Sequence, residues 1–236
     1  MHQITVGGVD VAVLRKAIRH LRLGVYPPCG SVRVAAPLAV SDEAIRLAVV
    51  SRLEWIRRQQ ARFEGQPQQT RQEMVSGETH FFLGQGYRLN VIERKGPARV
   101  SLSGGAASLE LLVRPAAGAD YRVRVLQRWY RQELKELIPP LLARWQPVIG
   151  VQAAEWGVKQ MRTRWGSCNI RARRIWLSLE LARKPVECLE YVLVHELVHL
   201  LERRHNKRFV AFMDQFLPTW RLARAELNRK PPGHRV

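Results

Sequence analysis

The chain of 236 residues contains no apolar run long enough to span a bilayer, and its opening MHQITVGGVDV lacks the apolar core of a secretory signal. These absences lead us to expect a cytoplasmic protein with no membrane partner. Cysteine is scarce. Cys29, Cys168 and Cys188 are odd in number and scattered, which fits reduced thiols and not a disulfide framework. A Gly-rich phosphate loop is missing, and with it the usual cradle for a nucleoside triphosphate. Acidic residues are also few, 20 against 39 lysines and arginines, which leaves a formal net charge of +19. Such a field draws phosphate polymers at long range, so a nucleic acid is an admissible partner of the basic surface. The arginines are spread over nearly every segment instead of forming one block, and they are densest at Arg221, Arg224, Arg229, Lys230 and Arg235. The closing PPGHRV reads as a disordered tail over 231–236.

What the chain does have is enough apolar sequence for a core, at 46% hydrophobic. Residues 3–36 alternate and turn like a small antiparallel sheet, with Gly7-Gly8 and the segment from Pro27 to Gly30 as turn signals. A helix follows, capped by Ser41, with Ala44, Ile45, Ala48, Val49, Leu53 and Ile56 at helical spacing up to about Phe63. A Gln-rich connector covers Gly65 to Gln72. After it come a hairpin over Thr79–Ile92 around Gly84-Gln85-Gly86 and a strand pair turned at Gly104-Gly105 that ends near Arg114. From Ala119 to about Gln146 the pattern is helical, kinked or broken at Pro139-Pro140, with Trp129 and Trp145 as core anchors. Strands near 152–157, 159–165 and 173–180 then feed a last apolar helix. We therefore expect an α+β fold with an N-terminal β-rich module, 1–115, and a compact catalytic module, 116–230.

That last helix carries the chemistry. In VHELVHLLERRH, His195 and His199 are four apart and lie one above the other on a helix face, close enough for both imidazoles to bind one Zn²⁺. Glu196 beside them is placed to take a proton from a water that the ion activates, the division of labour of an H-E-x-x-H helix. Local sequence supports the helix: Pro185 suits its first position, Glu187 its positive end, and Arg203 and Arg204 its negative end. Leu189, Val192, Leu193, Val194, Leu197, Val198, Leu200 and Leu201 leave almost no polar face, so the helix is buried on most sides. A buried ionised Glu beside two His is costly unless paired or near a metal.

The third ligand is open. His205 lies six residues past His199, on the wrong side of an unbroken helix, so the chain must turn near Arg204 for it to reach the ion. Asn206 can make that turn and cap the next helix, KRFVAFMDQFL. Otherwise a carboxylate, Asp214 or Glu226, takes the place. Cys168 reads as a small residue packed on a strand more readily than as a ligand or a redox-sensitive thiol.

Arg164-Trp165-Gly166-Ser167-Cys168, the hairpin into Leu177–Pro185, and HELVH with His205 and Phe209 together resemble the YgjP-like metal-dependent hydrolases, relatives of the SprT-like and WLM zinc proteases. The likeness extends more loosely to Gly77 through Val91 and to the N-terminal strands. Relatives usually carry Ser where Asn206 stands and Trp where Val210 stands. The resemblance implies a zincin-like module, its HExxH helix packed on a small antiparallel-edged sheet. It further implies zinc as the metal, His195, His199 and His205 as its ligands, and Glu196 as the catalytic base.

The favoured reading is a zinc metallopeptidase acting on peptide or protein substrates. The strand carrying Arg162, Arg164 and Trp165 would run along the cleft and contact an extended peptide. The alternative is a metal-dependent nucleoside triphosphate pyrophosphatase in which Arg162 and Arg164 grip phosphate. Against it, an all-His site is less natural for Mg²⁺-bound nucleotides, which prefer oxygen ligands. A third reading, a nucleic-acid-associated protease or binding module with structural zinc, leaves Glu196 without a duty.

Overall fold

In a computed structural model, residues 2–26, 30–64, 73–103, 107–161 and 163–229 are described. The chain divides into two compact units, Met1–Thr70 and Arg71–Val236. This division falls well before the boundary expected at residue 115. The reason is that the second four-stranded sheet shares one apolar core with the helices that follow it: Leu89, Leu109 and Leu111 are buried together with Tyr130, Leu134 and Leu193. The expected connector, the Gly104-Gly105 turn and the tail lie outside the described residues.

The first unit builds β1 (His2–Val6), β2 (Val9–Lys16), β3 (Arg22–Tyr26) and β4 (Ser31–Pro37) into a sheet of order β1-β2-β4-β3. It is not purely antiparallel, because β2 and β4 run parallel and β3 lies outside β4. Alternate residues Val11, Val13, Val32 and Val34 point into a core closed by Ile45, Val49 and Ile56. The expected helix is two helices, α1 (Asp42–Val50) and α2 (Leu53–Glu64). Ser41 Oγ caps α1 by accepting from the Ala44 N–H at 3.2 Å.

The second unit repeats that topology. Strands β5 (Thr79–Phe82), β6 (Gln85–Glu93), β7 (Arg99–Ser103) and β8 (Ser108–Val113) have the order β5-β6-β8-β7, again with β6 and β8 parallel and β7 antiparallel to β8. Both leading hairpins turn on two residues of positive φ, Gly7-Gly8 at 56° and 79° and Leu83-Gly84 at 47° and 83°. That is the type I′ geometry which matches strand twist. In both units a helix follows the last strand. No repeat is evident in the residues themselves, because what the two segments share is a pattern of strand, turn and helix lengths.

Helix α3 (Ala119–Ile149) continues through Pro139 and Pro140, so the chain is not broken there. Leu134, Ile138, Leu142 and Trp145 are buried on both sides of the prolines, and this packing offsets the backbone bonds that proline removes. Trp129 packs on Phe82 and Tyr130, and Trp145 donates to Glu190 Oε1 at 2.9 Å, so both are core residues as expected. A three-stranded sheet of order β10-β11-β9 follows, made of β9 (Glu155–Lys159), β10 (Gly166–Asn169) and β11 (Arg174–Ser178). Among the described residues strand β10 pairs only with β11, antiparallel, and so forms an edge of the sheet.

After a 3-10 turn at Leu179–Arg183 come α4 (Val186–Val198), α5 (Lys207–Phe216) and α6 (Trp220–Arg229). Where α6 stands, the sequence suggests only a basic stretch and not a helix. The β5–β6 turn sets the start of α4. Leu83 N–H donates to Ala182 O at 2.8 Å, and a Cβ on Gly84 would stand 2.7 Å from Pro185 Cγ. Among the described residues no helix is long and apolar enough to cross a membrane.

Candidate metal centre

Helix α4 is shorter than its apolar run suggests. Pro185 is its N-cap residue and not its first helical one, and His199 is already the C-cap. Leu200 and Leu201 lie past the helix end, in the turn, and Arg203 and Arg204 lie in the loop beyond it. The early stop is what lets the chain return. His199 Nδ1–H donates to the main-chain oxygen of Glu202 at 3.1 Å, which fastens the loop to the ring and leaves Nε2 as the free lone pair. Asn206 then caps α5, its Oδ1 accepting from the Phe209 N–H at 3.0 Å, as the sequence predicts.

The result is a cluster of imidazoles. His195, His199 and His205 each offer a ring nitrogen, and these atoms lie within 4.8 Å of one another. His195 Nε2 and His205 Nε2 face each other at 2.9 Å. Two bare lone pairs at that distance repel, so either a proton or a cation must lie between them. Phe209 backs the whole group, its ring centroid 4.8 Å from each of the three imidazoles. His195 and His199 are half-buried and His205 is exposed, so the cluster opens to solvent on one side. An all-imidazole donor set suits zinc and its neighbours among the transition metals, and it does not suit Mg²⁺ or Ca²⁺. Burial, with His199 and His205 alongside, pushes His195 down to about 3 and so favours the neutral ring that a metal requires. Burial lowers His199 as well.

The competing ligands are occupied elsewhere. Asp214 accepts from Trp220 Nε1 at 2.8 Å and from Arg221 at 2.5 and 3.2 Å, and Glu226 pairs with Arg229 at 2.9 Å.

Glu196 is 5% exposed. Its carboxylate lies on the backbone of edge strand β10: a Cβ on Gly166 would stand 2.6 Å from Glu196 Oε1 and 2.9 Å from Val192 Cγ1. Gly166 is therefore a point of close approach between strand and helix. Burial pushes the Glu196 carboxyl up to about 8, with the Arg164 guanidinium pulling it back.

Of the three residues expected to line the cleft, Arg162 lies outside the described residues. Arg164 is exposed and Trp165 half-buried, and neither is on a strand, because β10 begins only at Gly166 and β9 has already ended at Lys159. Trp165 packs against the core of its unit, and its carbonyl accepts from Ser178 N–H at 2.8 Å, which continues the β10–β11 pairing by one residue.

Sequence reasoning missed an aromatic chain beside the cluster. Tyr191, one turn before His195 on α4, meets that imidazole edge-on with centroids 5.8 Å apart, and Trp220 of α6 stacks on Tyr191 at 6.0 Å. The four-residue step from Tyr191 to His195 was the available signal.

Cys168 lies on β10 outside the imidazole group. Burial, with the charge of Glu196 nearby, pushes its thiol up to about 11, and burial does the same for Cys188. Both thiols should therefore be unreactive. At pH 8 we expect iodoacetamide to label each about 10²-fold more slowly than a free cysteine, since only the thiolate attacks. Peptide mapping of the labelled chain reads this, and fast labelling of Cys168 would show that its thiol is not packed away from solvent.

No curated protein matches this chain. Among solved structures, the metallopeptidase zymogen of Pyrococcus abyssi abylysin is similar at 22% identity over 38% of this chain and 88% of that one, with a TM-score of 0.34. A family model described as YgjP-like, metallopeptidase domain matches residues 19–230, and the chain accordingly belongs to that family.

Proposed function

We propose that this chain is a zinc-dependent peptidase of zincin type, with His195, His199 and His205 holding the ion and Glu196 as general base. The observation that carries the reading is the convergence of three imidazole nitrogens one helix residue away from a buried carboxylate lying on a sheet edge. When bound, zinc would supply Lewis acidity to a water and to the substrate carbonyl. The chain's own part follows from its residues. Glu196 takes the water's proton and returns it to the departing amine. The open edge of β10 binds an extended peptide by strand addition and presents a backbone carbonyl beside that carboxylate. His199, held through Nδ1 by Glu202 O, and Phe209, against all three rings, keep the donor set oriented.

Metal retention tests the ligand set directly. Purified without chelator, the protein should carry about one zinc per chain. His195→Ala and His199→Ala should lose most of it, and His205→Ala should lower retention far more than Asp214→Ala, whose carboxylate is already engaged by Arg221. Elemental analysis finding no transition metal, or Asp214→Ala costing more than His205→Ala, would overturn the triad. Hydrolysis of an unfolded protein by the zinc-loaded chain, abolished by chelator and restored by zinc, tests the activity itself.

A further inference from the structure

Two arginines approach the site from different elements. Arg164 stands two residues before Gly166, at the entry to edge strand β10 where that strand meets Glu196. Arg224 is one turn beyond Trp220 on α6. Its guanidinium carbon lies 5.7 Å over the Trp220 ring, which itself stacks on Tyr191 against His195. Both are exposed, and neither makes an ion pair with a described residue.

The nearby acids do not cancel this field. Asp214 is bound to Arg221, and Glu202, with its carboxylate accepting from the Arg204 N–H at 3.1 Å, has Arg204 and Arg208 beside it. The loop and first turn of α5 that carry His205 add further exposed cations, among them Arg203 and Lys207. A cation that is solvated and unpaired in the free protein has its pairing energy available for a ligand.

From this geometry we infer that the site selects acidic peptides, with Arg164 pairing a carboxylate side chain on the β10 side of the scissile bond and Arg224 one on the α6 side. The inference rests on the peptidase reading for its setting and names the substrate class of that same site. Arg164 and Arg224 are specificity-determining residues, acting on substrate binding and leaving the proton transfer to Glu196. A basic segment would meet two like charges beside the cleft and be rejected.

The test is a binding measurement on zinc-loaded Glu196→Gln protein, which does not depend on turnover. Three fluorescein-labelled decapeptides of equal length, rich in Glu, in Gln and in Lys, are titrated at 150 mM salt and followed by anisotropy. The acidic peptide should bind about tenfold more tightly than the Gln-rich one, and Arg164→Gln and Arg224→Gln should each remove about threefold of that preference, the yield of one partly solvated ion pair. Arg114→Gln removes the same charge at the end of β8, on the other sheet of the unit, and should leave the preference intact. Equal affinity for the three peptides, or an equal loss in Arg114→Gln, overturns the inference. Binding of ATP tighter than that of the acidic peptide, lost in the same two variants, also overturns it, in favour of a phosphate ligand. Acidic peptides bound but not cleaved by wild type would refute the peptidase reading alone, while cleavage indifferent to charge would refute only the inference.

Discussion

Glu196→Gln should leave the protein folded and metal-loaded and yet lower turnover by about 10²–10⁴-fold, the usual consequence of losing a positioned proton-transfer group. The substitution keeps the length and hydrogen-bonding reach of the side chain and removes only its capacity to take a proton. Glu196 is not among the three converging nitrogen donors, so zinc content should equal that of wild type. Burial already disfavours the charged carboxylate, so the neutral amide should not lower the melting temperature and should raise it slightly in the metal-free protein. KM should change little, because the substrate's strand pairing and side-chain contacts are untouched. The readouts are zinc per chain, melting temperature, and kcat and KM on an unfolded protein substrate, with nucleoside triphosphates in parallel. Equal kcat in the two proteins would remove Glu196 from the chemistry. Loss confined to triphosphate hydrolysis would replace the peptidase with a pyrophosphatase.

The candidate site is legible in the sequence because its spacing is local. The four-residue step from His195 to His199 fixes one helix face, and the helix-capping chemistry of Asn206 sets the turn that returns His205. Where the sequence misleads, the deciding interactions are distant. The apolar pair Leu200-Leu201 extends the helical pattern to Arg204, but a hydrogen bond from His199 to Glu202 O ends the helix six residues earlier. The segment 160–165 has strand-like composition, but β11 pairs with β9 and β10 on its two sides, and among the described residues before Gly166 only Trp165 reaches the ladder. Local alternation says that β2 and β4, or β6 and β8, are strands. It cannot say that they run parallel across an intervening strand, which depends on burying valines and leucines against the helices that follow each sheet. The same nonlocality hid the true position of the unit boundary. Tyr191 and Trp220 were readable as core aromatics, but their stacking beside His195 depends on α6 crossing α4.

Gly166→Ala should lower this protein's activity sharply through a single added methyl group. The new Cβ would stand 2.6 Å from Glu196 Oε1, 2.9 Å from Glu196 Cγ and 2.9 Å from Val192 Cγ1, distances that real side chains do not adopt. One of the partners must yield. Val192 is packed in the core at 4% exposure, whereas the carboxylate can swing toward the open side of the imidazole cluster, so the base moves. A displacement of about 1 Å in a reacting group costs on the order of 10²-fold in rate. Overpacking of this kind costs about 1–3 kcal/mol, a fall of several degrees in melting temperature. His195 and His199 keep their places on the helix, so zinc should be retained. Gly157→Ala supplies the comparison: its Cβ would strike the Trp176 ring on the same sheet without touching Glu196, and it should destabilise the fold to a similar degree while sparing kcat. Parallel measurement of melting temperature, zinc content and kcat in the two variants separates displacement of the base from general strain. If Gly166→Ala keeps wild-type kcat, or if Gly157→Ala loses as much, the close approach of Glu196 to strand β10 has no part in catalysis.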